Sequence, residues 1–136
     1  MTGSHEPRGG STRTDPRAPD PLLRGRTYAI PFDPVWEAAL ALVRGGLPGW
    51  TLLGADDNAG LIEGEALTRL LKRALVVGVR VGLDRNAQTR VDLEARSRSG
   101  GPDLGARRRI IVAFFNQLDR RLAARPEQIL DATGVS

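Results

Sequence analysis

A chain of 136 residues and 14.7 kDa fits one domain, and 40% hydrophobic with 26% charged residues excludes a wholly disordered protein. No run nears the 18 apolar residues of a membrane-spanning helix, and the lack of cysteine removes disulfides, thiolate metal sites and a cysteine nucleophile. Of 20 basic residues only Lys72 is lysine; arginine's very high pKa lifts the pI to about 10.8 while the net charge stays at +4, which argues against nucleic-acid binding.

Residues 1–24 read as a disordered leader, because Pro7, Pro16, Pro19 and Pro21 interrupt a stretch of Gly, Ser and Thr with little apolar content. The single histidine, His5, lies there, which argues against His-based catalysis or metal binding. No apolar signal-peptide core follows Met1. The expected location is cytoplasmic, and the arginine bias fits a GC-rich bacterial coding sequence. The leader is expected to add nothing to stability.

The expected folded domain spans 25–125, with a short polar tail over 126–136. It opens with a strand at Arg26–Ile30, closed by Pro31. Asp33-Pro34 supplies an N-cap and a first-turn proline for a helix carrying Val35, Trp36, Ala39, Leu40 and Val43, stopped by Gly45-Gly46. Four strand-like runs follow. Trp50–Ala55 turns through Asp56–Gly60 into Leu61–Leu70, which places Ile62, Gly64, Ala66 and Thr68 on one face. Leu75–Leu83 sets Leu75, Val77, Val79, Val81 and Leu83 opposite Gly78, Arg80 and Gly82. Gln88–Arg98 sets Val91, Leu93 and Ala95 opposite Arg90, Asp92, Glu94, Arg96 and Arg98. Such one-sided alternation belongs to an antiparallel sheet with one wet face.

A turn at Asp84–Gln88 pairs Leu83 with Thr89, Val81 with Val91, Val79 with Leu93 and Arg80 with Asp92. A slip of one residue would invert every face, so this register is well specified. A final helix is expected from Leu104 to Ala124, with Asp103 as N-cap. Its Leu104, Ile111, Phe115, Leu118 and Leu122 project within about 60° of arc, and Ile110 and Phe114 widen the stripe. The expected fold is α+β: a curved antiparallel sheet of four to five strands, two helices on one face, order β-α-β-β-β-β-α, helix-grip-like.

At the last strand and helix, Val91-Asp92-Leu93, Ser97-Arg98-Ser99-Gly100 and Asp103-Leu104-Gly105 resemble the signature of the domain of unknown function 1499 family, V-D-x-R-S-x-S-R-x-G-x-x-D-L-G-x-N-x-x-R-I. Pro48-Gly49-Trp50, Gly60 with Ile62, Thr68 and Val79-Arg80 fall at further positions of that pattern. The chain departs from it at Glu94-Ala95, Arg107, Ile110-Ile111 and Leu75-Val76, as a divergent relative would. The resemblance implies a polar cluster, present here in part through Arg80, Asp92, Ser97, Arg98 and Asp103, with Gly105 completing the candidate motif, and no established activity.

The Ser97–Gly105 loop invites an anion at a helix start, but the Asp103 carboxylate would repel one, so its expected role is architectural, with Arg98 folding back towards Asp103. Glu63 and Glu65 share a strand face as solvated carboxylates, without a converging nucleophile. Asp56-Asp57 is the nearest approach to a calcium turn, and no metal, cofactor or catalytic residue is expected. The expected function is a non-enzymatic module that binds a protein partner or a small apolar ligand, the latter in a helix–sheet cavity. The alternatives are an enzyme using Arg, Asp and Glu chemistry in that cavity and a weak nucleic-acid binder through scattered arginines.

Overall fold

A computed structural model of the protein describes residues 10–68, 73–98, 103 and 105–130. The expectations for His5, Leu70, Ser99, Gly100 and Leu104 fall outside these residues. Strand β1 (Ser11–Arg13) and strand β2 (Arg26–Tyr28) precede helix α1 (Phe32–Ala41). Then come β3 (Trp50–Asp56), β4 (Leu61–Leu67), β5 (Ala74–Leu83), β6 (Thr89–Ser97), helix α2 (Ala106–Arg121) and β7 (Ile129–Leu130). The strands form one open antiparallel sheet in the order β3-β4-β5-β6-β2-β7, with β1 also on β6. The α+β class and the antiparallel sheet are as expected, with two more short strands than the pattern showed.

The hairpin register is the anticipated one throughout: Leu83 faces Thr89, Val81 faces Val91, Arg80 faces Asp92 and Val79 faces Leu93. In β4 and β6 every second residue is buried, and in β5 Leu75, Val77, Val79 and Val81 are, whereas Leu83 at the strand end is 61% exposed. Both helices cover that buried face. Phe114 of α2 stacks on Trp50 at 5.8 Å between ring centroids and meets Phe115 edge-on at 5.3 Å. Gly64 lies under Val43, just past the end of α1: a Cβ there would lie 2.6 Å from Val43 Cγ1 and 2.9 Å from the Thr51 carbonyl oxygen.

The termini correct the sequence reading. Within the supposedly disordered 1–24, Ser11–Arg13 pairs with Glu94–Arg96, and Pro21–Leu23 forms a 3-10 turn capped by Asp20. Within the supposed polar tail, Pro126–Gln128 forms another 3-10 turn, and Ile129 and Leu130 pair with Tyr28 and Thr27. Both additions are joined by backbone hydrogen bonds, which need no apolar alternation, so hydrophobic patterning misses them.

The helix starts shift as well. α1 begins at Phe32 with Pro31 in the N-cap position, so Asp33 lies inside the first turn rather than capping it. Its carboxylate still lies at the positive end of the helix dipole. α2 begins at Ala106, with Gly105 as N-cap in the left-handed region at φ 76°. It ends at Arg121, and the exposed Ala123 beyond it takes φ 49°.

Two outcomes follow from these termini. Deleting residues 1–24 strips β1 from β6 and should lower the thermal midpoint by about 5–10 °C, as read by calorimetry. Ala123→Gly removes the left-handed penalty at an exposed position and should stabilise the protein by about 0.5–1 kcal/mol in urea unfolding.

Candidate functional site

Arg80 and Asp92 face each other across β5 and β6, yet Asp92 is engaged elsewhere. Its Oδ1 accepts from Thr14 Oγ1 at 2.7 Å and from Arg90 Nη2 at 2.7 Å, and its Oδ2 accepts from Arg90 Nε at 3.1 Å. Arg90 also donates to Thr27 Oγ1 at 3.2 Å and to the Arg24 carbonyl at 2.5 Å. β1 and β2 run along the same edge of β6 in succession, and residues between them loop away and return. The Arg90–Asp92 pair fills the gap where the two strands nearly meet. Thr14 completes it: its hydroxyl also accepts from the Leu93 amide at 3.1 Å.

At the other end of β6, Arg107 is the hub. Its Nε donates to Thr12 Oγ1 at 3.0 Å and its Nη1 to Ser97 Oγ at 2.8 Å, while Nη1 lies 3.8 Å from the Asp103 carboxylate. Asp103 Oδ1 accepts from the Arg107 amide at 3.1 Å, and its carbonyl accepts from the Ala106 amide at 2.9 Å. Asp103 therefore does satisfy a free N–H of the helix start, from two residues ahead of the N-cap. Arg98 does not fold back to it. It extends along the outer face, across β5, to Glu65 of β4, with 2.5 Å between Nη2 and Oε2, because its long side chain lies on the outer face and spans the intervening strand. Ser97, Asp103 and Gly105 thus gather at one corner, Asp92 belongs to a second cluster, and Arg80 and Arg98 join neither. The signal for Arg107 was its spacing: four residues after Asp103, it lies one helical turn on.

Two further ties hold α2. Tyr28 donates to Asp119 Oδ1 at 2.5 Å, and Arg26 pairs with Asp119 at 3.2 Å while its guanidinium lies 5.4 Å from the Phe115 ring centroid. Burial, reinforced by the Asp119 hydrogen bond and charge, pushes the Tyr28 hydroxyl far above its ordinary pKa, so it remains a donor. On the surface Arg108 meets Asp20 at 2.6 Å, and that hydrogen bond holds the Asp20 carboxyl below its usual range.

The open space lies on the outer face of the sheet, away from the helices. A trough of about 670 Å3 crosses the outer face between Gly54–Asp56 of β3 and Arg13–Asp15 of the leader. Its floor is Gly78, above which an added Cβ would meet nothing within 4 Å. Glu63 and Glu94 flank Gly78 on the neighbouring strands, and Arg80 lies two residues along β5. Among the described residues the side chains of Glu63, Arg80 and Glu94 form no ion pair or hydrogen bond. The helix–sheet interface, where a ligand cavity and close packing were both open from the sequence, is packed, with Ile62, Val77, Phe114 and Leu118 shielded from solvent.

Among the described residues, no group of three or more His, Cys, Asp or Glu is gathered as metal ligands, and no helix is long and apolar enough to cross a membrane. No protein-family profile, curated protein or solved structure matches the chain.

The two arginines should separate cleanly in equilibrium unfolding. Arg107→Ala leaves Ser97, Thr12 and Asp103 without their shared partner and should cost about 2 kcal/mol. Arg98→Ala removes an exposed pair and should cost no more than about 0.5 kcal/mol. Asp103→Ala combined with Arg107→Ala should lose less than the sum of the single losses.

Proposed function

We propose that this chain is a non-enzymatic module that binds a protein partner through the trough on the outer face of its sheet. The observation that carries this reading is the contrast between the two faces. The inner face is filled where Gly64 meets Val43, which leaves no room there for a small apolar ligand or for an enzyme's substrate. The outer face is open, floored by glycine and lined by apolar and charged groups together, as protein-binding surfaces are. Two arginines and five acids line the trough, so it repels phosphate and disfavours nucleic acid.

The groups with displaced titration, Tyr28, Asp20 and Arg108, lie in the ties that hold the leader and α2, away from the trough. Their perturbation has a structural cause and does not favour the enzyme reading. Kinship with the domain of unknown function 1499 family is part of the proposal, supported by the motif residues Ser97, Asp103 and Gly105 meeting at one corner. So is a cytoplasmic location, which a cysteine-free chain suits.

Capture from the native cell, followed by mass spectrometry, tests the reading. Wild-type protein and a folded Gly78→Trp variant are compared as baits. Partners that bind through the trough should be lost with the variant, because its indole stands in the open space over Gly78. An identical set of captured partners from both baits overturns the assignment of the trough.

A further inference from the structure

We propose that the protein partner of the trough is a second copy of this chain, seated face to face by a two-fold axis that crosses the strands between Gly78 and Arg80. The inference rests on the trough being the binding surface. Its basis is charge complementarity of the face with itself.

Consider the outward residues in rows across the sheet. One row holds Glu63, Gly78 and Glu94 on β4, β5 and β6, with Arg13 next to Glu94. The adjoining row holds Leu61, Arg80 and Asp92 on the same three strands. The first row therefore offers two unpaired carboxylates around a vacant position, and the second offers one unpaired guanidinium. Strand spacing puts the two glutamate backbones about 10 Å apart, and the pleat puts Arg80 about 7 Å along from Gly78.

A two-fold axis lying between these rows exchanges them while keeping each strand over its own counterpart. Arg80 of one copy then stands over Gly78 of the other, between the other copy's Glu63 and Glu94, and the reverse contact follows by symmetry. Sheets packed face to face lie about 10 Å apart, which an extended arginine spans only where the facing residue has no side chain. Gly78 meets that condition. Asp92 does not oppose the arrangement, because Arg90 already neutralises it at 2.7 Å.

The face spans about five strands by three or four rows, on the order of 500 Å2 per copy, which belongs to the weak, reversible class of interface. Its attraction is ionic, so it should weaken with salt. A charge exchange between copies separates this geometry from general stickiness. In Arg80→Glu the new carboxylate faces Glu63 and Glu94 of its mate, and in the double variant Glu63→Arg with Glu94→Arg the new arginines face Arg80. Each variant alone should self-associate at least 10-fold more weakly than wild type. Their equimolar mixture restores opposite charges at both contacts, so it should associate within about threefold of wild type.

Sedimentation velocity from 10 µM to 1 mM in low salt reads this, with circular dichroism confirming that each variant is folded. Arg44→Glu, a change on an exposed residue beyond α1, should leave association unchanged. The proposal is overturned if the wild type stays monomeric at 1 mM, if Arg80→Glu associates as well as wild type, or if the mixture fails to recover. A monomeric wild type whose captured partners still depend on Gly78 would leave the trough as a binding surface and remove only the second copy from it.

Discussion

Strand β6 must satisfy backbone groups along both of its edges, and the rest of the molecule is arranged around that requirement. One edge is met by β5 in an unbroken nine-residue ladder. The other is met in two pieces, β1 and β2, with a chain excursion between them. Backbone amides and carbonyls left unpaired away from water are costly, so the interruption has to be filled. Thr14 fills it: its amide donates to the Leu93 carbonyl at 3.0 Å and its hydroxyl accepts from the Leu93 amide, while Asp92 and Arg90 hold that hydroxyl and the Arg24 carbonyl in place. The same strand presents Val91, Leu93 and Ala95 to the helices, so its backbone and its side chains anchor different parts of the fold.

The two faces of the sheet have opposite economies of space. On the helix side, bulk is limiting: Val43 approaches so near to β4 that Gly64 has no room for a side chain. On the outer side, Gly54, Gly78 and Gly82 all have room for one and carry none. Open glycines in strand interiors weaken a sheet, so their gathering on one face has the character of a surface shaped for contact. The bulge that places Leu53 in solvent, 54% exposed, distorts the free edge of β3 and guards against edge-to-edge pairing. The proposed partner contact accordingly uses the face rather than this edge.

Polar ties do the long-range assembly. Arg107 joins the leader, the end of β6 and the start of α2, while Tyr28 and Arg26 hold the far end of α2 through Asp119. The Arg107–Thr12 and Tyr28–Asp119 bonds each bring together residues more than 90 positions apart in the chain. In such half-buried places a hydrogen bond to a charged group is worth more than one in open solvent. They stabilise a leader that has almost no apolar surface of its own to bury.

The sequence by itself determined the class of fold, the β-α-β-β-β-β-α core, the register of the β5–β6 hairpin and which residues face inward. Periodicity carries that information because burial of a strand or helix face is a local, repeating demand. It also marked the Asp103 corner, since a carboxylate ahead of a helix is a local signal. Only the tertiary structure decided the fate of the leader, the partner of Asp92, the hub role of Arg107 and the side of the sheet that is open. Those depend on backbone pairing and on single charged groups meeting across long loops, which leave no period in the sequence. Whether the helix–sheet interface is packed or hollow was open in the sequence for a related reason. Gly64 and Gly78 are alike as letters, and only the three-dimensional neighbours show that one is crowded by Val43 and the other faces open space.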